Sequence, residues 1–154
     1  MKTLIVGLGN PILGDDGVGW RVSEEVKARL YPEHQEDIQI ECASLGGLSL
    51  MERLVGCQRA ILIDSMHTGR FPDGHVSVFP LHALPDPLAG HTASTHDTSL
   101  QTAIKTGIQM GMDLPETITV VAIEATTVHE FSEELTPAVA AAVPAAMQAV
   151  LDLI

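Results

Sequence analysis

The sequence predicts an α/β fold, a three-layer α/β/α sandwich on a five-stranded mixed, mostly parallel sheet of the phosphorylase/hydrolase-like kind. Short apolar runs typical of buried parallel strands alternate with amphipathic segments typical of helices. Aromatic residues are only 3% of the chain, so aliphatic residues and Met must fill the core, which suits strands packed between helices. The 154 residues are 45% hydrophobic, enough for one core, so we expect a single domain over 1–154.

The first half of the chain predicts strands and helices in strict alternation. Its opening apolar run ends in a Gly-Asn-Pro turn, as a buried strand should. The next segment carries an apolar residue at every fourth position until Pro32 stops it, which is the period of an amphipathic helix. The predicted elements are a strand over 3–8, a helix over 16–31, a strand over 37–43, a helix over 48–55 and a strand over 60–63.

The second half begins with a strand over 74–80 that follows the previous one too closely for a helical crossover, so it is predicted to be antiparallel. Residues 81–95 have no period and contain several Pro and Gly residues, which predicts a long loop, and such loops are usually functional. Leu100, Ile104 and Ile108 mark the next helix, which Asp97 or Thr98 could cap. A strand over 117–124 follows. The last helix opens at Thr136-Pro137, and Pro144 should kink or divide it.

The charge of the chain argues against two classes of partner. It carries 20 acidic and 8 basic residues, a formal charge of −12, which repels nucleic acid and anionic membrane surfaces. The first apolar run is too short for a signal peptide or a membrane span. Cys42 and Cys57 form neither a disulfide framework nor a zinc motif. We therefore expect a cytoplasmic protein without nucleic-acid or membrane partners.

Polar residues follow two of the predicted parallel strands, at the sheet edge where such folds bind ligands. Asp15 and Asp16 stand after the first strand and its glycine turn, and Asp64 ends the third strand. One of the two adjacent acids is expected to cap the following helix, leaving the other for metal binding or general base catalysis. For Asp64 the alternative is a hydrogen-bonding or capping role at the strand end.

A histidine could complete this site. His96 stands at the end of the long loop before a helix, and His91 is its rival. Two carboxylates and an imidazole suit a divalent ion such as Ni, Zn or Fe with positions left open, although three ligands do not identify the metal. A dinucleotide site would need a third glycine where Ile12 stands. The chain has no G-x-S-x-G motif, so the sequence offers no serine nucleophile of that kind.

The stretch around the first turn resembles the opening motif of hydrogenase maturation proteases, which trim the large subunit of [NiFe] hydrogenases. The similar residues are Leu4–Asn10, Leu13 and Asp15–Gly19, together with the Gly46-Gly47 turn, the Ile118–Glu124 strand and Leu135-Thr136-Pro137. One departure is that Glu124 precedes Ala125, where the family often has Pro. The resemblance spans almost the whole chain.

This resemblance implies a metal-dependent endopeptidase in which Asp16, Asp64 and His96 are both catalytic residues and metal ligands. The implied partner is the precursor of the [NiFe] hydrogenase large subunit. Nickel already inserted in that precursor would serve as the metal, and the protein alone would bind Ni, Cd or Zn only weakly. The reaction would remove the C-terminal extension of the precursor by metal-assisted hydrolysis.

Two other functions stay open from the sequence. The protein could bind the nickel-loaded precursor as a checkpoint without cleaving it. Peptidyl-tRNA hydrolases also begin with a strand followed by G-L-G-N-P, but they continue with a further glycine and need a basic face, whereas this chain has Ile12 and a charge of −12.

Overall fold

The computed structural model describes residues 2–31, 33, 36–84 and 95–154, and for residues 95–99 it gives the helical backbone only. Within this part of the chain, five strands form one sheet in the order β2-β1-β3-β5-β4. They are β1 (Thr3–Leu8), β2 (Ile38–Ala43), β3 (Arg59–Met66), β4 (Val76–Pro80) and β5 (Thr117–Glu124). All pairs are parallel except β4 with β5, which confirms the mixed, mostly parallel sheet.

Among the described residues, four α-helices cover the sheet: α1 (Val18–Leu30), α2 (Gly47–Leu54), α3 (Thr95–Gln109) and α4 (Pro137–Leu151). Buried residues of α1 and α4 pack on one face of the sheet, and those of α2 and α3 pack on the other. Successive strand residues alternate between these faces, so Leu62 joins the α2/α3 cluster while Ile63 joins the α1/α4 cluster. The three-layer sandwich predicted from the sequence is confirmed.

Two elements near the site differ from their predicted bounds. β3 continues to Met66 instead of ending at Ile63, because its parallel pairing with β5 runs as far as Met66 opposite Glu124. A short 3-10 helix over Gly14–Gly17 precedes α1, so Asp16 lies in that helix and not in α1 itself. Pro144 was predicted to kink or divide the last helix, and the helix passes through it as one element, so division is excluded.

The predicted long loop is shorter than expected at both ends. A 3-10 helix over Leu81–Ala83 occupies its beginning, anchored by the buried side chain of Leu81. α3 already begins at Thr95, so Asp97 and Thr98 lie inside the first turn of the helix and the prediction that either caps it is wrong. Residues 85–94, including His91, lie outside the described residues. In the described part of the chain, no helix is both long and apolar enough to cross a membrane.

Candidate active site

The glycine turn after β1 brings the Gly14–Gly17 helix directly against the sheet. Gly9 has a φ of 123°, and a Cβ atom there would lie 1.9 Å from the backbone oxygen of Asp16. A Cβ atom on Gly19 would lie 2.4 Å from the carbonyl oxygens of both Leu8 and Ile63. These glycines therefore allow the acidic turn and the start of α1 to approach the carboxyl ends of β1 and β3.

Asp16 projects its carboxylate into this edge of the sheet. The backbone N–H of Asn10 donates to Oδ2 at 2.8 Å, and the hydroxyl of Ser65 donates to Oδ1 at 3.2 Å. The side chain is half-buried. Each carboxylate oxygen has two lone pairs, so these bonds orient Asp16 and leave it able to bind a cation.

Asp15, the neighbouring acid, has a structural role. It is fully buried, and Thr136 donates to its two oxygens from the backbone N–H and the hydroxyl, each at 2.7 Å. Thr136 is the N-cap residue of α4. The prediction that Asp15 or Asp16 caps the helix that follows them is wrong: Gly17 is the N-cap of α1, and no side chain bonds there. The 3-10 turn instead directs Asp15 inward to the distant helix.

Asp64 is almost completely buried, with 1% of its surface exposed. It is the first residue of β3 beyond the last pair with β1, Gly7 with Ile63, and it lies opposite Ala122 of β5. By alternation along the strand, Asp64 is on the α2/α3 face, whereas Ser65 is on the α1 face and reaches Asp16. Asp16 and Asp64 therefore lie at the same edge of the sheet, connected through Ser65.

His96 lies in the first turn of α3, within the helical layer that covers the Asp64 face. Its side chain and all of His91 lie outside the described residues. Among the described residues, no three His, Cys, Asp or Glu side chains are grouped closely enough to hold a metal ion. Two carboxylates at one edge fit the oxygen part of a divalent metal site, and the choice of His96 as third ligand stays a prediction.

Glu124 is a site residue whose role sequence reasoning missed. It is buried at the end of β5, and its Oε1 accepts three hydrogen bonds: from the N–H of Thr68 at 2.9 Å, the hydroxyl of Thr68 at 2.8 Å and the N–H of Gly69 at 2.9 Å. Glu124 thus holds the turn that follows β3. The sequence signal was an acid that ends an apolar run, the same signal that drew attention to Asp64.

A cavity of about 230 Å³ opens beside this turn. It is lined by Met66, Thr68, Arg70, Phe71, Ser77, Phe79, Ala83, Ala122 and Glu124. Ala122 and Met66 belong to the α2/α3 apolar cluster, so the cavity is on the same face of the sheet as Asp64.

Cys57 does not provide an alternative nucleophile. Burial raises the pKa of the Cys57 thiol, which disfavours the reactive thiolate. Cys42 is exposed, with its Sγ atom 3.0 Å from the hydroxyl of Ser23. The acidic edge of the sheet is the better candidate for catalysis.

Comparison with known proteins identifies the same family that the opening motif resembles. A family model described as hydrogenase maturation protease, HycI, matches residues 20–153, a range that includes Asp64 and His96 and begins after Asp16. HupD, a hydrogenase expression/formation protein of Rhizobium leguminosarum bv. viciae, is 26% identical over 147 residues, or 96% of this chain and 71% of HupD.

Solved structures share the fold. The hydrogenase maturating endopeptidase HybD from E. coli superposes with a TM-score of 0.81 at 22% identity, covering 99% of this chain and 91% of HybD. The [NiFe] hydrogenase maturation protease HybD from Thermococcus kodakarensis superposes with a TM-score of 0.74 at 21% identity, covering 99% of both chains.

Proposed function

Because the chain belongs to the hydrogenase maturation protease family, we propose that it removes the C-terminal extension of a nickel-loaded [NiFe] hydrogenase large-subunit precursor. The family supplies the general activity, an endopeptidase of hydrogenase maturation. The nickel requirement and the identity of the bond that is cut are our proposal.

The arrangement of Asp16 and Asp64 supports this proposal most directly. The two acids lie at the carboxyl edge of one sheet, and Ser65 connects them by standing next to Asp64 and bonding Asp16. The formal charge of −12 makes the electrostatic potential around this edge more negative, which favours the binding of a cation there. A divalent ion bound at this edge would neutralise part of the negative charge of the two carboxylates.

The nickel ion belongs to the substrate in this proposal. Asp16 and Asp64 contribute oxygen ligands and His96 a nitrogen ligand, which is an incomplete set that the client completes. Bound nickel would polarise the scissile carbonyl or activate a water molecule. A carboxylate oxygen of Asp16, oriented by Asn10 and Ser65, is suited to accept a proton from that water.

Binding without cleavage is the second candidate function, and one experiment separates the two. The cognate nickel-loaded large-subunit precursor is incubated with the protein, and its intact mass is followed. We expect the mass to fall by that of one C-terminal peptide, and only when nickel is present. An unchanged mass together with tight binding would establish the checkpoint function instead.

The same assay tests the histidine of the site. His96→Ala should lower the cleavage rate by about a hundredfold or more, since removing one ligand of an incomplete set weakens both nickel binding and its orientation. His91→Ala is the matched control and should cleave at nearly the wild-type rate. The reverse order of the two variants would move the third ligand to His91.

A further inference from the structure

The cavity beside Glu124 is adjacent to the proposed catalytic edge. Its floor residue Ala122 is the β5 partner of Asp64, and neighbouring strands in a sheet lie roughly 4.8 Å apart. Both residues are on the α2/α3 face. The cavity therefore begins one strand away from Asp64, on the side of Asp64 opposite to β1 and Asp16.

The lining is mainly apolar. Carbon atoms around this space come from three strands, the turn after β3 and the Leu81–Ala83 helix, through Met66, Phe71, Phe79, Ala83 and Ala122. Pockets for whole small molecules usually occupy roughly 300–1,000 Å³, so a cavity of about 230 Å³ is better matched to one or two side chains. The binding of an apolar side chain in this cavity would be favourable, because its apolar surface would be removed from water.

The cavity is held in shape by hydrogen bonds. Glu124 forms part of its wall and fixes the Thr68–Gly69 turn through three bonds to Oε1. Ser77 and Phe79 face the cavity from β4, which is paired with β5. A pre-formed cavity binds at a lower conformational cost than one that must open. Arg70 adds one positive charge at its wall, which suits a carbonyl or carboxylate oxygen of a bound peptide.

We propose that this cavity is the subsite that binds an apolar side chain of the client's C-terminal extension, just beyond the bond that is cut. This inference rests on the proposed function, because it takes the Asp16 and Asp64 edge as the place of cleavage. It adds a specificity pocket, lined by residues of β3, β4, β5 and the turn between β3 and β4, to that edge.

The direction of the bound chain follows from the order of the strands. The retained part of the client carries the nickel, which holds it at the edge formed by β1 and β3. The extension carries no nickel, so protein contacts must hold it in place. The sheet continues from β3 to β5 and β4, where the cavity lies, and a chain leaving the metal in that direction passes over Ala122.

The test fills the cavity with a large side chain, introduced at an exposed residue that lines it. Ala83 is exposed and lines the cavity, whereas His82, its neighbour in the same 3-10 helix, is exposed and does not line it. Ala83→Trp should lower kcat/KM for the nickel-loaded precursor roughly tenfold or more, mainly through KM. His82→Trp is the matched control and should remain within about twofold of wild type. Equal kinetics for both variants would overturn the subsite.

A second arm identifies what occupies the cavity. The apolar residues at the start of the extension are replaced by Ser, and each client is tested against wild type and Ala83→Trp. If one contact is involved, the losses are not additive, and the serine client should be cleaved at similar rates by both enzymes. Fully additive losses would show that some other part of the client fills the cavity.

Affinity measurements distinguish a failure of the subsite proposal from a failure of the proposed protease activity. The precursor is titrated against each variant by isothermal calorimetry. If wild type binds without cleaving, the proposed function fails, yet weaker binding by Ala83→Trp than by His82→Trp still supports the subsite. If wild type cleaves and the two variants bind and cleave alike, the subsite fails and the proposed function stands.

Discussion

The turn after β1 and the turn after β3 are stabilised by the same device, a buried carboxylate that accepts bonds from the N–H and the hydroxyl of one threonine. Asp15 pairs in this way with Thr136, and Glu124 pairs with Thr68. The difference lies in how the oxygens are used. Asp15 uses both of them to hold the start of α4, whereas the three bonds of Glu124 all end on Oε1.

Burial, and not the number of bonds on each oxygen, separates Asp15 from the acid that follows it in the chain. Asp15 is fully buried, with one hydrogen bond from Thr136 on each oxygen, so a cation brought by a partner cannot reach it. Asp16, the next residue, is half-buried and keeps acceptor capacity toward the sheet edge. Glu124 stands between these cases, because it anchors a turn and also forms part of a cavity wall. Substitutions should reproduce this order.

The largest effect is expected at Asp16. Asp16→Ala should reduce the cleavage rate by about a thousandfold or more, because it removes the proposed metal ligand and proton acceptor. Its free energy of unfolding should change by less than about 1 kcal/mol, since the side chain is only half-buried. Precursor cleavage by intact mass and urea unfolding measure the two quantities. A large loss of stability would place Asp16 with Asp15 as a structural acid.

Asp15→Ala should act on stability. It removes two short hydrogen bonds and leaves the N–H and hydroxyl of Thr136 without their acceptor, at a cost of about 2–4 kcal/mol. Urea unfolding followed by circular dichroism measures this cost. Thr136→Val, which loses only the hydroxyl bond, should cost about half as much. Identical unfolding curves for Asp15→Ala and wild type would contradict the assigned role.

Glu124→Gln should give the smallest effect of the three substitutions, and it should change both the stability of the protein and the binding of the precursor. Gln keeps an acceptor oxygen but lacks the charge that strengthens three bonds to Oε1, so we expect a loss of about 1–2 kcal/mol in the free energy of unfolding. Loosening of the Thr68–Gly69 turn should also raise KM for the precursor more than it lowers kcat. A fall in kcat alone would instead place Glu124 in the chemistry of cleavage.

Elements defined by local patterns were predicted well from the sequence. The bounds of β1 and β5 match the predicted strands, and the antiparallel direction of β4 followed from the short connection before it. The end of β3 was missed because Asp64 looked like the end of an apolar run. In the structure Ser65 and Met66 continue the strand, since β5 offers two further partners.

Contacts between distant parts of the chain could not be predicted. The bonds between Asp15 and Thr136 join residues 121 positions apart, and those between Glu124 and Thr68 join residues 56 apart. No sequence period or motif identifies two hydrogen-bonded residues so far apart in the chain. The sheet-edge argument placed Asp16 and Asp64 at one edge of the sheet, where the structure has them, and their role as metal ligands stays a prediction. The assignment of a helix cap to Asp15 or Asp16 failed, because capping was inferred from the nearest helix alone.

The bond between Asp15 and Thr136 has a consequence for the order of folding. During synthesis the first strand and its acidic turn emerge from the ribosome long before residue 136, and a domain generally folds as a unit. The turn that presents Asp16 gains its anchor only when α4 begins to dock. The nascent chain therefore acquires a fully ordered acidic edge of the sheet among its last steps of folding.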